Sequence, residues 1–212
     1  MQLNKKNKLL NQLYLSKIMG YKYCEDLNID KNELSFNLPD TINEIDNIIS
    51  NCSLCSFCNL SEIKVINNIK ENADILFIST FRLASKDDIF DAMLNKVLNL
   101  SRDDVNILSI LKCDIDEKVN INDQVNICKE YVLKQIDIIK PKLIITLGDS
   151  YNYLLNSDVN ISNIRGNMLK YNNINLIPMY HPLILLRNPS LKKDALTDLQ
   201  KIKLLMENFW KI

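Results

Sequence analysis

Residues 174–189 read INLIPMYHPLILLRNP and contain the only histidine in a chain of 212 residues. The apolar run from Ile174 to Met179 is typical of a buried strand. Pro182 and Pro189 restrict the backbone that follows, so this strand cannot simply continue. An open α/β sheet presents its chemistry at the carboxyl edge, and a strand that ends in a rigid turn with His181 matches that arrangement.

Upstream of this stretch, short apolar runs alternate with amphipathic segments. This alternation predicts βαβ units and a mostly parallel sheet. We therefore expect an α/β fold with three αβα layers around a central four-stranded parallel sheet. The predicted strands are 75–78, 105–111, 143–147 and 174–179, and the predicted helices are 5–19, 41–49, 87–100, 123–139, 150–155 and 194–210. All four strand ends would then meet at one edge, where we expect any ligand site.

The chain length fits one α/β domain with an extension. We predict that residues 1–50 form an N-terminal helical extension and that residues 51–212 form the main domain.

The charge balance restricts the possible partners. The chain has 26 Lys and Arg residues and 26 Asp and Glu residues, so its formal net charge is zero. This argues against a strong general attraction to nucleic acid or anionic membranes, although a local basic groove is still open. No apolar run approaches the roughly 18 residues of a membrane span, and the polar, lysine-rich N-terminus is not a secretory signal. We expect a cytoplasmic monomer that does not bind membranes.

Six cysteines in such a chain favour metal binding or free thiols over disulfides. Cys52 and Cys55 form a C-x-x-C pair, Cys113 follows the second predicted strand, and Cys128 lies in the next predicted helix. Together they can form a closed site with four thiolates. Such a site suits an iron–sulfur cluster or structural zinc, and the spacing does not separate the two.

Two further cysteines stand outside this set. Cys58 extends the pair to C-x-x-C-x-x-C, as in bacterial ferredoxins, but the fourth cysteine and the proline of that pattern are missing. We interpret Cys24 and Cys58 as ordinary thiols.

Ordered blocks of sequence run through residues 50–210. They are Cys52-x-x-Cys55, ADILFI at 73–78, FDAML at 90–94, LSRDDV at 100–105, Lys112-Cys113, Cys128, Gln135-Ile136, Pro141-Lys142, Leu147-Gly148, Arg165-Gly166, His181-Pro182 and LLRNP at 185–189. In this order they resemble the family-four uracil-DNA glycosylases, the iron–sulfur branch of that superfamily. No single block is decisive, but the ordered set is specific.

The resemblance implies a cofactor, a reaction and a partner. It implies that Cys52, Cys55, Cys113 and Cys128 bind a [4Fe-4S] cluster. It also implies excision of uracil or another damaged base from DNA by hydrolysis of the N-glycosidic bond. In that chemistry His181 would donate to the leaving base, as in an oxyanion hole.

The chain departs from the family at the pocket. The family's Gly-Glu-Ala-Pro-Gly turn is replaced by STFRL at 79–83, and the loop that carries a ring stacked on uracil is absent. Asp87 runs almost directly into a helix. Ser109 replaces an asparagine that reads the pyrimidine edge, and Leu183 replaces the serine after His-Pro.

Candidate contacts follow from these positions. We expect Thr80 and Ser109 to contact the substrate. We expect Arg187, Lys112 and Arg165 to contact DNA phosphates.

Three roles stay open at this stage. His181 can serve the reaction or simply cap a turn through backbone hydrogen bonds. Leu185 and Leu186 can form a wedge into a base step or belong to the core. Either Thr80 or Asp87 can position a water molecule.

Three functional hypotheses result. The first is a DNA glycosylase of altered specificity. The second is a catalytically inactive, cluster-containing relative that binds DNA or a protein, motivated by the replaced pocket motifs. The third is an electron-transfer protein, which would not need His181.

Overall fold

The computed structural model describes residues 38–70, 73–116 and 119–210. The predicted helix 5–19, Cys24 and most of the predicted extension 1–50 lie outside these residues. From Leu38 onward the chain forms one unit, which includes both the segment that precedes Cys52 and the sheet.

Five strands form one sheet in the order β2-β1-β3-β5-β4. They are β1 (Ile75–Ser79), β2 (Asn106–Ser109), β3 (Leu143–Leu147), β4 (Leu169–Tyr171) and β5 (Ile174–Met179). Strands β2, β1, β3 and β5 are parallel. Every residue of β1 and β3 is buried, which explains their continuous apolar sequences. The predicted α/β fold with a parallel sheet is confirmed.

The predicted strand count was one short. Strand β4 pairs antiparallel with β5 and forms a hairpin through Asn172 and Asn173. It has only three residues, lies at the sheet edge and has no apolar run, so the sequence gives no strand pattern there. The available signal was the Asn-Asn pair, because asparagine tolerates the left-handed backbone that Asn172 adopts at φ 51°.

The described residues form eight α-helices, of which five match predicted segments to within a few residues and three short ones, at 57–60, 161–164 and 182–187, were not predicted. They are α1 (Ile42–Ser50), α2 (Phe57–Leu60), α3 (Asp88–Ala92), which continues as a π-helical segment (Met93–Leu98), α4 (Asn122–Ile139), α5 (Ser150–Leu155), α6 (Ile161–Ile164), α7 (Pro182–Arg187) and α8 (Lys192–Trp210). Where the sequence predicted a rigid turn after His181, the chain forms the short helix α7. Among the described residues, no helix combines the length and apolar character needed to span a membrane.

The parallel register places the strand ends side by side. Ser79 at the end of β1 pairs with Ser109 of β2 and Leu147 of β3, and Leu147 pairs with Met179 of β5. Strand β1 lies between β2 and β3, so the chain crosses over β1 between those two strands. Such a reversal of strand order is where open α/β sheets bind ligands. The segments after β1, β3 and β5 are therefore the expected site.

An ion pair with one buried carboxylate lies beside Tyr180, the residue that follows strand β5. Asp198 of α8 is 1% exposed and binds the Arg165 guanidinium at 2.7 Å, while Asp194 binds it at 3.1 Å. The guanidinium also lies over the Tyr180 ring, 5.4 Å from its centroid. The Arg165 charge is thus already engaged by two carboxylates, which does not fit the predicted contact with DNA phosphate.

Gly166 is required for this ion pair. Its φ is +67°, and a Cβ atom there would lie 2.2 Å from Oδ1 of Asp198. Alanine would thus combine a strained backbone with a clash against a buried carboxylate.

We predict that Gly166→Ala lowers the free energy of unfolding by about 2–4 kcal/mol, measured by urea denaturation. Asn172→Ala is the matched control, because Asn172 also has a positive φ but is exposed in a hairpin. We expect that control to lose about 1 kcal/mol. Equal losses in both variants would contradict the role assigned to the Asp198 contact.

Candidate active site

His181 caps helix α7 directly after strand β5. Its Nδ1 accepts a hydrogen bond from the Leu183 N–H at 3.2 Å, and Pro182 takes the first helical position, where no N–H is needed. The capping role left open by the sequence is therefore real. Because Nδ1 is the acceptor, a neutral ring carries its proton on Nε2, which is then a hydrogen-bond donor.

The surroundings of His181 keep the ring neutral. Burial lowers the pKa of His181 to about 4, and the nearby charge of Arg187 acts in the same direction. The carboxylate of Asp87 acts in the opposite direction and raises this pKa. At neutral pH the group at the strand end is thus an uncharged donor.

Gly148 lies against the histidine from strand β3. Its φ is +64°, and a Cβ atom there would lie 3.2 Å from the His181 Cβ atom. The Gly148 N–H also donates to the Met179 carbonyl at 2.8 Å, which ties the ends of β3 and β5 together. Glycine therefore allows the close approach that fixes the position of His181.

Thr80 and Ser109 follow the register of the sheet, but both are deeply buried, at 8% and 1% exposure. Ser109 lines a cavity of about 320 Å³, together with Arg82 and Leu83 from the segment after β1. Among the described residues, neither Thr80 nor His181 lines that cavity. The structure thus places Ser109, but not His181, at this cavity.

Lys112 does not fit its predicted role. It is 1% exposed, and its ammonium donates to Oε1 of Gln135 at 2.9 Å. Burial lowers the pKa of Lys112 to about 7. A side chain in this position cannot reach a DNA phosphate, so we withdraw that prediction. Arg187, by contrast, is exposed beside His181 and stays a candidate for phosphate contact.

Three separate segments carry the cysteines. Cys52 follows α1, and the Cys52 N–H donates to the Ile49 carbonyl at 3.1 Å. Cys128 is a buried residue of α4, which packs against α1 through a small apolar cluster that includes Tyr131. Residues 63–65 pair with residues 112–114 in antiparallel fashion and so place Cys113.

The four predicted ligand thiols influence one another. Burial raises the pKa of Cys113 and raises the pKa of Cys128 to about 11, and in both cases Cys52 and Cys55 add to the effect. The thiols of Cys113 and Cys128 are therefore protonated unless a metal replaces the protons.

Two side chains hydrogen-bond to these sulfur atoms. The Lys64 ammonium lies 3.4 Å from Sγ of Cys113, and the Tyr131 hydroxyl lies 3.5 Å from Sγ of Cys52. Donors of this kind stabilise a thiolate and orient it toward a metal.

Four cysteine thiols are a donor set that suits an iron–sulfur cluster or structural zinc. Among the described residues, no group of three or more Cys, His, Asp or Glu side chains is placed to hold one metal ion.

Cys58 takes part in local contacts instead. It is half-buried; its N–H donates to the Cys55 carbonyl at 3.3 Å and its thiol to Oδ1 of Asn59 at 3.5 Å.

The protein is thus an open-sheet α/β protein with a neutral histidine donor at the carboxyl edge of its sheet. A model of the family described as Uracil DNA glycosylase superfamily matches residues 71–201, well over half of the chain. The chain belongs to the uracil DNA glycosylase superfamily. The resemblance found in the sequence is confirmed.

Several type-4 uracil-DNA glycosylases are similar to the chain. The one from Saccharolobus solfataricus is 27% identical over 185 residues, which cover 77% of this chain and 86% of that protein. The one from Sulfurisphaera tokodaii is 28% identical over 185 residues, with 77% and 84% covered. The one from Thermotoga maritima is 32% identical over 110 residues, with 49% and 57% covered.

We predict that the pKa of His181 makes stability depend on pH. The folded pKa is about 4 and the unfolded one about 6.5, so the unfolded chain binds more protons between these values. The free energy of unfolding should therefore fall by up to about 3 kcal/mol as the pH drops from 6.5 to 4.

His181→Asn is the matched variant, because asparagine keeps a capping acceptor but does not titrate. Its stability should change less than that of the original chain across the same pH window, as measured by urea denaturation at each pH. An NMR titration of the single histidine checks the cause directly. A pKa near 6.5 in the folded protein would contradict the prediction.

Proposed function

We propose that this protein excises uracil, or a related damaged base, from DNA by hydrolysing the N-glycosidic bond. The observation that carries the proposal is His181, a neutral Nε2–H donor beside the point where the strand order of the sheet reverses. Membership of the superfamily and the names of the type-4 relatives support it. We further propose that the protein works in the cytoplasm and as a monomer.

The proposed chemistry uses an uncharged donor for a charged leaving group. When the bond between the sugar and the base breaks, its electron pair moves onto the base, and negative charge grows on a base oxygen. A fixed Nε2–H of His181 aimed at that oxygen stabilises the charge without reorganisation. The cap at Nδ1 holds the ring in the orientation and tautomer that this requires.

Helix α7 offers groups for the DNA strand. A base inside a duplex must be extruded before it can react. Leu186 is 55% exposed, one turn after His181, and Arg187 is exposed next to it. We assign Leu186 as an apolar wedge between base steps and Arg187 as a phosphate contact. Leu185 is buried and belongs to the core instead.

The residues that replace the family's base-binding motifs favour weak discrimination among bases. The missing ring removes about 1–3 kcal/mol of stacking. Ser109 lines a cavity that His181 does not line, and its one hydroxyl replaces the donor and acceptor of an amide. Phe81 is half-buried and Arg82 is exposed at positions where the family has a glycine-rich turn, so these side chains occupy part of the space around a flipped base. We therefore expect the chain to accept more than one damaged pyrimidine.

The cofactor of the proposal is a [4Fe-4S] cluster held by Cys52, Cys55, Cys113 and Cys128, with zinc as the alternative. When bound, the cluster would supply a structural cross-link among the segments that carry these cysteines. Lys64 and Tyr131 would hydrogen-bond to two of the ligand sulfurs. No step of the base excision needs the cluster.

One observation favours a second candidate, a relative that binds DNA but does not release a base. Side chains fill the segment after β1, and Thr80, where the family has a glutamate, is only 8% exposed. Salt-dependent DNA binding without base release would identify this function.

We predict that the protein releases uracil from single-stranded or duplex DNA and that His181→Asn slows release about 10²–10³-fold. The asparagine variant keeps the α7 cap, so its thermal melting curve should stay close to that of the original chain at neutral pH. Alkali-induced strand nicking under single-turnover conditions measures the rate. If the original chain, in excess over the substrate, nicks no strand, the non-catalytic function replaces this one.

We also predict that anaerobically purified protein contains about four iron and four sulfide ions per chain. Serine substitution of Cys113 or Cys128 should remove the visible absorbance and most of the iron. Cys58→Ser is the control and should keep both. One zinc ion per chain, or loss of the cluster in the control, would contradict the assigned ligand set.

A further inference from the structure

We propose that Asp87 is a second catalytic residue, whose carboxylate holds the water molecule that attacks the sugar while His181 stabilises the departing base. This inference rests on the proposed function and deepens it. Residues 79–86, which follow β1, contain no Asp or Glu, and Asp87 is the first carboxylate after that strand. The inference assigns the catalytic carboxylate to Asp87 for this reason.

The two residues occupy equivalent positions on two packed helices. Asp87 is the N-cap of α3, His181 is the N-cap of α7, and these helices contact each other. Helix α3 is itself fixed to the sheet, because the Phe90 ring meets the Phe77 ring edge-on with 5.1 Å between centroids. The packed helices bring the two N-caps to the same region of the fold, where the charge of Asp87 reaches the imidazole.

Within the described part of the chain, only one of the two carboxylate oxygens of Asp87 accepts hydrogen bonds. Oδ1 of Asp87 accepts from the N–H groups of Ile89 at 3.1 Å and Phe90 at 2.9 Å. Oδ2 accepts no hydrogen bond from the part of the chain that the structure describes. The residue is half-buried, and the two hydrogen bonds to Oδ1 fix the direction of the carboxylate. We assign Oδ2 as the oxygen that holds the water molecule.

Electrostatics connect the two residues. Among the described carboxylates, Asp87 is the one whose charge acts on His181, where it raises the pKa. Among the other acids that follow strand ends, Asp114 pairs with Arg82 at 2.8 Å. Asp149 is exposed, and its charge acts on Tyr151 and Tyr153 of α5 rather than on His181.

Hydrolysis of the glycosidic bond needs a carboxylate beside the sugar. When the bond between the sugar C1′ and the base nitrogen breaks, its electron pair leaves with the base and positive charge grows on the sugar. A carboxylate stabilises that cation and orients a water molecule on it. The water oxygen bonds to C1′, one of its protons passes to Asp87 and then to solvent, and the base anion takes up a proton from solvent. The products are the free base and an abasic sugar with a hydroxyl at C1′.

Asp87→Asn tests this role without removing the helix cap, because asparagine is as good an N-cap as aspartate. The matched control is Asp88→Asn. Asp88 is exposed in the first turn of the same helix, so the control makes the same change in charge one residue away. Asp87→Ser is a second capping variant in case the first does not fold, and thermal melting checks all three.

We expect Asp87→Asn to slow single-turnover uracil release about 10²-fold or more. The dissociation constant for uracil-containing DNA should stay within about threefold of the original value, because the water-holding group does not contribute to ground-state binding. Asp88→Asn should change the rate by less than about twofold, since a single exposed charge acts weakly.

The single histidine provides a readout that is independent of activity. In an NMR titration, Asp87→Asn should lower the pKa of His181 relative to the original chain, and Asp88→Asn should leave it nearly unchanged. A control that shifts this pKa as much as Asp87→Asn does would overturn the pairing of Asp87 with His181.

The outcomes separate this inference from the proposed function. If the original chain releases no base, the proposed function fails and the inference fails with it. If the original chain is active and Asp87→Asn releases uracil as fast as Asp88→Asn, only the inference fails. Weaker binding or a changed base preference at an unchanged rate would show that Asp87 reads the base, and would also overturn it.

Discussion

The register of the parallel sheet is the constraint on which the candidate active site depends. Ser79, Ser109, Leu147 and Met179 end their strands at the same level, so the segments that follow them start from one edge. Hydrogen bonds past the strand ends, such as the one from the Gly148 N–H to the Met179 carbonyl, keep these segments together. A slip of one residue in any pair would turn the following side chains to the other face of the sheet. The close contact between Gly148 and His181 would not survive it.

The His181 ring serves the fold through Nδ1, and the proposed chemistry would use its other nitrogen atom, Nε2. Nδ1 satisfies a free N–H at the start of α7, and that bond leaves the proton on Nε2. Burial then keeps the ring uncharged, since a cation in that position would lose its hydration. A capping histidine is usually read as an alternative to a functional one. In this protein the hydrogen bond that caps α7 fixes the tautomer and the orientation of the ring, and it leaves the proton on Nε2.

The sequence alone was sufficient to predict the strands and helices that a local pattern of residues determines. Strands β1, β3 and β5 were predictable because each is apolar apart from one residue. Helix α3 was predictable from Asp87 followed by apolar residues at helical spacing. Strand β4 was missed because an edge strand of three residues buries too little to leave a pattern. The burial of Lys112 and the engagement of Arg165 by Asp198 were missed for another reason. Both depend on α4 and α8, which lie far along the chain, and no local signal distinguishes such a lysine or arginine from a surface charge.

Lys112 has a role that its position explains better than DNA binding does. Its ammonium is buried, and burial lowers its pKa to about 7, but the charges of Cys128 and Asp46 act to raise that pKa. Thiolates that bind a metal are negative, and a buried cation beside them lowers the cost of keeping that charge out of water. Lys64, bound to the Cys113 sulfur at 3.4 Å, supplies a second cation from another segment. In the proposed four-thiolate site, the block Lys112-Cys113 would supply a ligand and a nearby counter-charge.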